Sequence, residues 1–386
     1  MKAVLMQHGR LWIDDVPEPQ PGVGEVLVAT KACGICGSDL HAVQHTAAFI
    51  QTSREVGGGF KLTTDAPVVL GHEFCAEIVA FGPDTKRTLR EGDLVCSMPV
   101  LLRSEMVGLG YSDIAPGGFA EYMVLTEALI QEVPKGLPVE IAALTEPMAV
   151  GLHAVNKANL SPEDQVLVVG CGPVGLAIIS VLSMRGYSVV ASDFSPNRRR
   201  LAEQCGADIL IDPKQQSPFS SWKELGLLGN VSEAINMGMG IFDKVQTYSL
   251  PWVNAMRVGD KLGLLPKRPV IFECVGVAGI MQQILEGAPL FSRIVGVGVC
   301  MQSDKIEPAL AINKELEIQY VLGYTPLEFR DTLHMIAEGK IDCSPLITGV
   351  VGLEGVGNAF DALRDPEQHA KILIDPKKSG SDIQLI

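Results

Sequence analysis

The 386-residue sequence predicts an α/β protein with a β-rich first part and a doubly wound parallel sheet. Three observations predict it. Up to about residue 147, short apolar runs (EVLVAT, VVLGHEF, EIVAFG, EYMVL) alternate with Gly/Pro turns such as PEPQPGVG and APGG. From about residue 160, strand-like and helix-like stretches alternate, the pattern of a parallel sheet with right-handed crossovers. The run GCGPVG follows the strand VLVV and opens an apolar helix.

The second part reads in order as follows. VLVVG is a strand and Pro173 to Arg185 a helix. SVVASD is the next strand. Ser195-Pro196 then supplies an N-cap and a proline at the first helical position, leading to Gln204 and a Gly206 stop. DILI, VIFECVG and RIVGVGV are further strands, Ala278 to Ala288 is helical, and a last helix covers Pro326 to Glu338. Gly352 to Gly357 suits a turn before GNAFDAL, since no long crossover follows it. Residues 213–247 interrupt the rhythm. They read as a surface excursion or as a lid or subunit-contact element.

Composition narrows the function. The chain is 47% hydrophobic and 20% charged, ordinary for a globular protein. A net charge of −14 disfavours general nucleic-acid or anionic-membrane binding, because a basic patch would form against the mean field. Nine scattered cysteines, several in apolar runs, read as buried thiols in a reducing, cytoplasmic setting. The N-terminus carries no apolar run of signal-peptide length. Val166 to Met184 is free of charge and long enough for a membrane span, but the glycines and proline near its start favour strand, turn and buried helix.

In Gly170-Cys171-Gly172-Pro173-Val174-Gly175, Gly170 permits the tight turn, Gly172 lets a pyrophosphate approach the backbone, and Gly175 lets helix and strand pack closely. The helix N-terminus offers N–H groups to the anion. Asp193 ends the next strand, where an acid accepts hydrogen bonds from ribose hydroxyls and repels a 2′-phosphate, which predicts NAD over NADP. Arg198, Arg199 and Arg200 are placed a turn or more into a helix and read mainly as solvated face residues. Arg198 is retained as a cofactor candidate, because one of the three would reach a 2′-phosphate.

ACGICGSDLH carries Cys33 and Cys36 at C-x-x-C spacing, followed by GHE (His72, Glu73) and TEPMAVGLHAV (Glu146). A catalytic zinc takes about three Cys, His or carboxylate ligands and keeps one position open. Cys36, His72 and one or both of Glu73 and Glu146 would supply them. Each alone reads equally well as a core thiol, a hydrogen-bonded histidine or a solvated acid.

Together, GICGSDLH, GHEFCAEIVAFGP, EGDLV, GGFAEYMV, TEPMAVGLHAV, VLVVGCGPVGLAII, ECVGVAGIMQQIL and RIVGVGV resemble, in order and over nearly the whole chain, the zinc-dependent medium-chain dehydrogenases of the polyol, threonine and secondary-alcohol branch. The resemblance implies a GroES-like catalytic domain at 1–147, completed by 322–386, around a Rossmann NAD-binding domain at 148–321 with the inserted segment 213–247. It implies one catalytic zinc held by Cys36 and His72, with Glu73 direct or through water and Glu146 at the remaining ligand position. Cys33 is then no ligand and the C-x-x-C pair no redox couple. Asp39 orients the ligand histidine. Ser38 and His41 form a proton relay. Val150 and Val174 back the nicotinamide, and Val275 and Val297 lie at the same cofactor, Val297 through backbone contacts.

The resemblance further implies NAD-linked hydride transfer with a primary or secondary alcohol or its carbonyl. It also implies a homodimer or homotetramer joined through an edge strand near Arg293 to Val299. Two departures stand out. Cys96 to Gly118 holds only Cys96, so no structural zinc is expected. The segment 42–66 is longer than the family leads one to expect and should border the substrate cleft. A zinc-free enone or quinone reductase, a thiol-adduct oxidising enzyme and a non-enzymatic nucleotide-binding protein remain as competing readings.

Overall fold

The computed structural model describes residues 1–57, 59–223, 227–247, 251, 254, 257–258 and 268–386. A six-stranded parallel sheet runs in the order Ile209–Ile211, Val189–Ser192, Val166–Val169, Val270–Glu273, Arg293–Gly296, Glu317–Tyr320. Four of these strands, Val166–Val169, Val189–Ser192, Val270–Glu273 and Arg293–Gly296, are almost wholly buried, as expected of strands covered on both faces. The direction of travel reverses beside the first strand of the set, Val166–Val169, and its C-terminal end carries the glycine turn. That is where doubly wound sheets bind ligands. The edges are Ile209–Ile211 and Glu317–Tyr320. Arg293–Gly296 lies inside the sheet, so the edge strand expected near Arg293 to Val299 is displaced by one strand. Sequence alternation missed this because Glu317–Tyr320 (EIQY) has no apolar run of its own.

The second large sheet is built from both ends of the chain. Glu25–Gly34 lies at its centre, flanked by Glu73–Phe81 and by the C-terminal strand Lys371–Ile374, which pairs Leu373 with Gly34 and Ile374 with Cys33. Ile347–Val351 continues the sheet beyond it. The residues that end Glu25–Gly34 lead directly into the helix Gly37–Gln44.

The helix Thr145–Lys157 is continuous through position 147 and packs on the helix Pro173–Met184, where Gly151 lies against Ala177. It is also tied to the helix Pro326–Ala337. Thr325 caps that helix, its side chain accepting from the Glu328 N–H, while the Glu328 carboxylate accepts from Thr325 N at 2.8 Å. The same carboxylate meets His153 Nδ1 at 2.8 Å and accepts from Asn156 Nδ2 at 2.7 Å. Burial alone would raise the Glu328 pKa. The bonds from Asn156, Thr325 and His153 outweigh it and bring it from 4.5 to about 2. A depressed carboxylate stabilises the fold above its unfolded pKa and loses that contribution as pH falls through the folded one. Glu328→Gln is therefore expected to lower stability at neutral pH and to flatten its decline between about pH 4.5 and 2. Urea unfolding across that range checks this.

Of the segment 213–247, residues 224–226 lie outside the described residues. Trp222 and Leu227 are buried in the cluster beneath the parallel sheet, so this part is anchored rather than a loose excursion. A helix follows at Val231–Thr247, which the sequence did not suggest. Gly238 and Gly240 in its middle each cost about 1 kcal/mol relative to alanine and mask the helical pattern. The charge-free stretch 166–184 divides into the strand Val166–Val169 and the helix Pro173–Met184. No helix among the described residues is long and apolar enough to cross a membrane.

Candidate active site

Cys36 is the N-cap of the helix Gly37–Gln44, and Asp39 is its third helical residue. The Asp39 carboxylate reaches back to accept from Cys36 N at 2.9 Å, as third-position acids do at helix starts. Its other oxygen, Oδ1, faces His72 Nδ1 at 3.4 Å. One fully buried acid therefore fixes the positions of both Cys36 and His72. His72 and Glu73 follow Gly71, whose φ of +100° belongs to the region favoured by glycine and turns the chain into the strand Glu73–Phe81.

The thiol of Cys36, a ring nitrogen of His72 and a carboxylate oxygen of Glu73 lie within 4.8 Å of one another. Glu146 is outside this close group. It sits in the first turn of the helix Thr145–Lys157, hydrogen-bonded to Tyr324. Burial raises its pKa to about 7, with the Glu73 charge adding and His72 opposing. The chemistry of the close group, one sulfur, one nitrogen and one carboxylate oxygen, fits zinc. Asp39 and Glu146 add two further carboxyl groups around it, and Lys371 is the one lysine that bonds to it among the described residues.

Lys371 is a residue the sequence reading missed. It lies on the C-terminal strand, 1% exposed, and donates to both Glu73 oxygens at 2.7 and 2.6 Å and to the Ile35 carbonyl at 3.0 Å. Burial would lower its pKa, but the Glu73 and Cys36 charges keep it raised. A carboxylate has about four acceptor positions, so a Glu73 holding Lys371 retains room for a metal. The close pairing of strands requires Gly34 opposite, since a Cβ there would collide with the Glu73 carboxylate. The one signal in the sequence was a lysine opening the apolar run KILI.

Cys33 is fully buried, its sulfur enclosed between Gly71 and Gly118, and burial drives its thiol pKa well up. It lies outside the close group. Cys96 donates to the Ala142 carbonyl at 3.2 Å.

Ser38 Oγ lies 3.4 Å from His72 Nε2. His41 is half-buried on the same helix, its Nδ1 buried with no hydrogen-bond partner. Burial and the neighbouring His45 lower its pKa. A second residue missed by sequence, Tyr111, is buried with its hydroxyl 2.8 Å from Ser38 Oγ and 3.3 Å from both Asp39 Oδ1 and His72 Nδ1. It falls in GLGY, where no local pattern marks it. A third, Tyr324, touches Glu146. The segment 42–66, of which residue 58 lies outside the described residues, forms the helix Thr46–Val56. Its Phe49 stacks on Tyr111, and Phe60 meets the same ring edge-on.

At the glycine turn, Gly170 has φ +93° and a Cβ on Gly175 would collide with the Gly170 carbonyl. A Cβ on Gly172 would meet nothing nearer than Arg198 Nη1 at 3.9 Å, so the backbone there is open to an approaching group. Pro173 opens the helix. The two Asp193 oxygens accept from Cys171 N and Ser195 N, both at 2.8 Å.

The reading of the three arginines needs correction. The helix begins at Pro196, which puts Arg198 in its first turn rather than beyond it. Arg198 is half-buried beside Gly172, its Nε buried without a partner. Arg199 is held by the Asp193 and Phe194 carbonyls. Only Arg200 is exposed. Val150 and Val174 are half-buried and Val275 is exposed. The Val297 N–H is already donated to the Glu273 carbonyl at 2.9 Å, so a backbone contact to a ligand there falls to its carbonyl.

Comparison with known proteins agrees with this architecture. Residues 22–135 match the alcohol dehydrogenase GroES-like domain family. The chain is 29% identical to the (R,R)-butanediol dehydrogenase of Bacillus subtilis (strain 168), over 97% of this chain and 100% of that one. It is 26% identical to the L-threonine 3-dehydrogenase of Rhizobium rhizogenes, over 97% and 98%. The crystal structure of 2R,3R-butanediol dehydrogenase from Bacillus subtilis superimposes with a TM-score of 0.73 at 27% identity, covering 97% of this chain and 99% of that one. With a β-rich sheet built from both ends of the chain and a six-stranded parallel sheet, the protein carries an alcohol dehydrogenase GroES-like domain and is similar over nearly its whole length to alcohol and polyol dehydrogenases.

Proposed function

We propose that the protein is an NAD-dependent dehydrogenase of primary or secondary alcohols, polyol-like or related, with one catalytic zinc and no structural zinc. The convergence of Cys36, His72 and Glu73 beside Ser38 carries this reading. Cys36, His72 and Glu73 would hold the zinc, with Glu146 near enough to feel the His72 and Glu73 charges. Zinc there would supply Lewis acidity, of the kind that lowers the pKa of bound water from about 15.7 to roughly 7. The nicotinamide would supply the hydride acceptor or donor.

The chain's own groups do the rest. Asp39 holds Cys36 and His72 in register. Ser38, half-exposed beside His72, accepts the proton of the alcohol hydroxyl and gives up its own toward His41. His41 lies on the same helix with an unpartnered nitrogen that can take up the proton at the exit. Gly172 and the N-terminus of the helix Pro173–Met184 receive the pyrophosphate, with Arg198 beside them. Asp193 retains acceptor capacity for the ribose hydroxyls, and its charge opposes a 2′-phosphate.

Two experiments test this. A panel of diols, polyols, amino alcohols and simple secondary alcohols, assayed with NAD and added zinc, should show turnover. Turnover only of enones or quinones would replace the reading with a zinc-free reductase. In the same assay NAD should exceed NADP in kcat/KM by about tenfold or more, the scale of one charge-assisted hydrogen bond. Preference for NADP would transfer the 2′-position to Arg198. A homo-oligomer in the cytoplasm is part of the same reading. The edge strand Glu317–Tyr320, with Tyr320 and Leu322 exposed, is the place for the contact, and sedimentation at several concentrations checks it.

A further inference from the structure

We propose that Tyr111 is a positioning residue for this reaction: its phenol donates to Ser38 and sets the direction in which Ser38 handles a proton. Through the Tyr111 ring, the helix Thr46–Val56 acts on the chemistry rather than only on substrate fit. The inference rests on the proposed function for its consequence in turnover, and on geometry alone for the contact.

The geometry assigns the phenolic proton. A tyrosine hydroxyl has one proton to give. Ser38 Oγ, at 2.8 Å, is at the ordinary O–H···O distance, while Asp39 Oδ1 and His72 Nδ1 are both at 3.3 Å. Ser38 therefore accepts from Tyr111 with one lone pair. Its own proton and its second lone pair point away from Tyr111, on the side where His72 Nε2 lies at 3.4 Å. A serine held this way accepts one proton and releases another without turning. Tyr111 is 2% exposed, so it is no route to solvent. It orients Ser38 and leaves the proton's exit to His41.

What holds Tyr111 is the second observation. Phe49 lies parallel to its ring at a centroid distance of 5.2 Å, Phe60 meets it edge-on at 4.8 Å, and His72 is at 5.3 Å on a tilt. Phe49 belongs to the helix Thr46–Val56 and Phe60 to the segment after it, where Gly57 ends that helix in a left-handed cap. Aromatic contacts of this kind fix ring orientation as well as burying area. The helix Thr46–Val56 thus reaches Ser38 through Phe49, Tyr111 and one hydrogen bond.

The test uses the full chain loaded with zinc. Tyr111→Phe keeps the ring and its contacts and removes the hydroxyl. It is expected to lower kcat about tenfold, to leave KM within about twofold, and to leave zinc per chain unchanged. Ser38→Ala removes the group that Tyr111 orients, so the double variant should be no slower than Ser38→Ala alone. Phe49→Leu should lower kcat about threefold and have no effect when Tyr111 is already Phe. Urea unfolding of the same Tyr111–Ser38 cycle should show coupling of about fivefold in the unfolding equilibrium constant.

Full kcat in Tyr111→Phe, or losses in the two single variants that simply multiply in the double, would overturn the proposal. So would the absence of coupling in the unfolding cycle, which does not depend on a substrate. A wild-type protein with intact coupling but no alcohol turnover would refute the proposed function and uphold the Tyr111–Ser38 contact.

Discussion

Cys36→Ser should purify with zinc reduced from about one per chain to a small fraction of that, and should lose at least about 10³-fold in kcat/KM. The lost Lewis acid supplies several kcal/mol at the transition state, which sets the scale. The fold should survive, because Cys36 is only half-buried and Asp39 still accepts from the backbone N–H at position 36. Metal analysis of protein purified without added zinc, beside the NAD-coupled assay, reads both effects. Zinc retained in full by the variant would place the metal elsewhere. Activity retained without zinc would favour the zinc-free reductase.

The second large effect is on stability. Lys371→Met leaves the Glu73 carboxylate 1% exposed and without its cation. Breaking a buried pair on one side costs about 3–5 kcal/mol, a large part of the 5–15 kcal/mol that holds a typical domain together. Adding Glu73→Gln should recover most of the loss, because the uncompensated charge goes with it. Urea unfolding of zinc-stripped and zinc-loaded protein adds a further distinction. If Glu73 takes part in holding the metal, bound zinc partly replaces the missing lysine and the cost shrinks in the loaded protein. If the cost is the same in both, Glu73 serves Lys371 alone and Glu146 becomes the stronger candidate for the third ligand.

Short-range features were legible in the sequence. The turn at Gly170 to Gly175 declares itself because a positive φ and a close strand–helix approach both demand glycine within a few residues. The cap at Ser195 and the start at Pro196 are likewise set by neighbours along the chain. Cys36, His72, Glu73 and Glu146 were found differently. Spacings of 36 and 73 residues carry no local pattern, and the resemblance of the whole ordered set of motifs singled them out. Arg198 shows the limit of local reading. The helix start at Pro196 is legible in the sequence, yet only the packing of its first turn beside Gly172 takes the Arg198 side chain off the solvated face.

The sequence by itself determined the fold class, because repeating patterns and turn residues act over a few positions, and its ordered set of motifs singled out the candidate ligands. Only the tertiary structure decided what surrounds them. Lys371 meets Glu73 across 298 residues, through antiparallel pairing of the first and last parts of the chain. Tyr111 meets Ser38 across 73, because the helix Thr46–Val56 and the segment after it supply the aromatic surface that holds its ring. No periodicity or spacing encodes such pairs. They exist because burial makes an unpaired charge or hydroxyl costly, and the fold alone determines which groups are buried together.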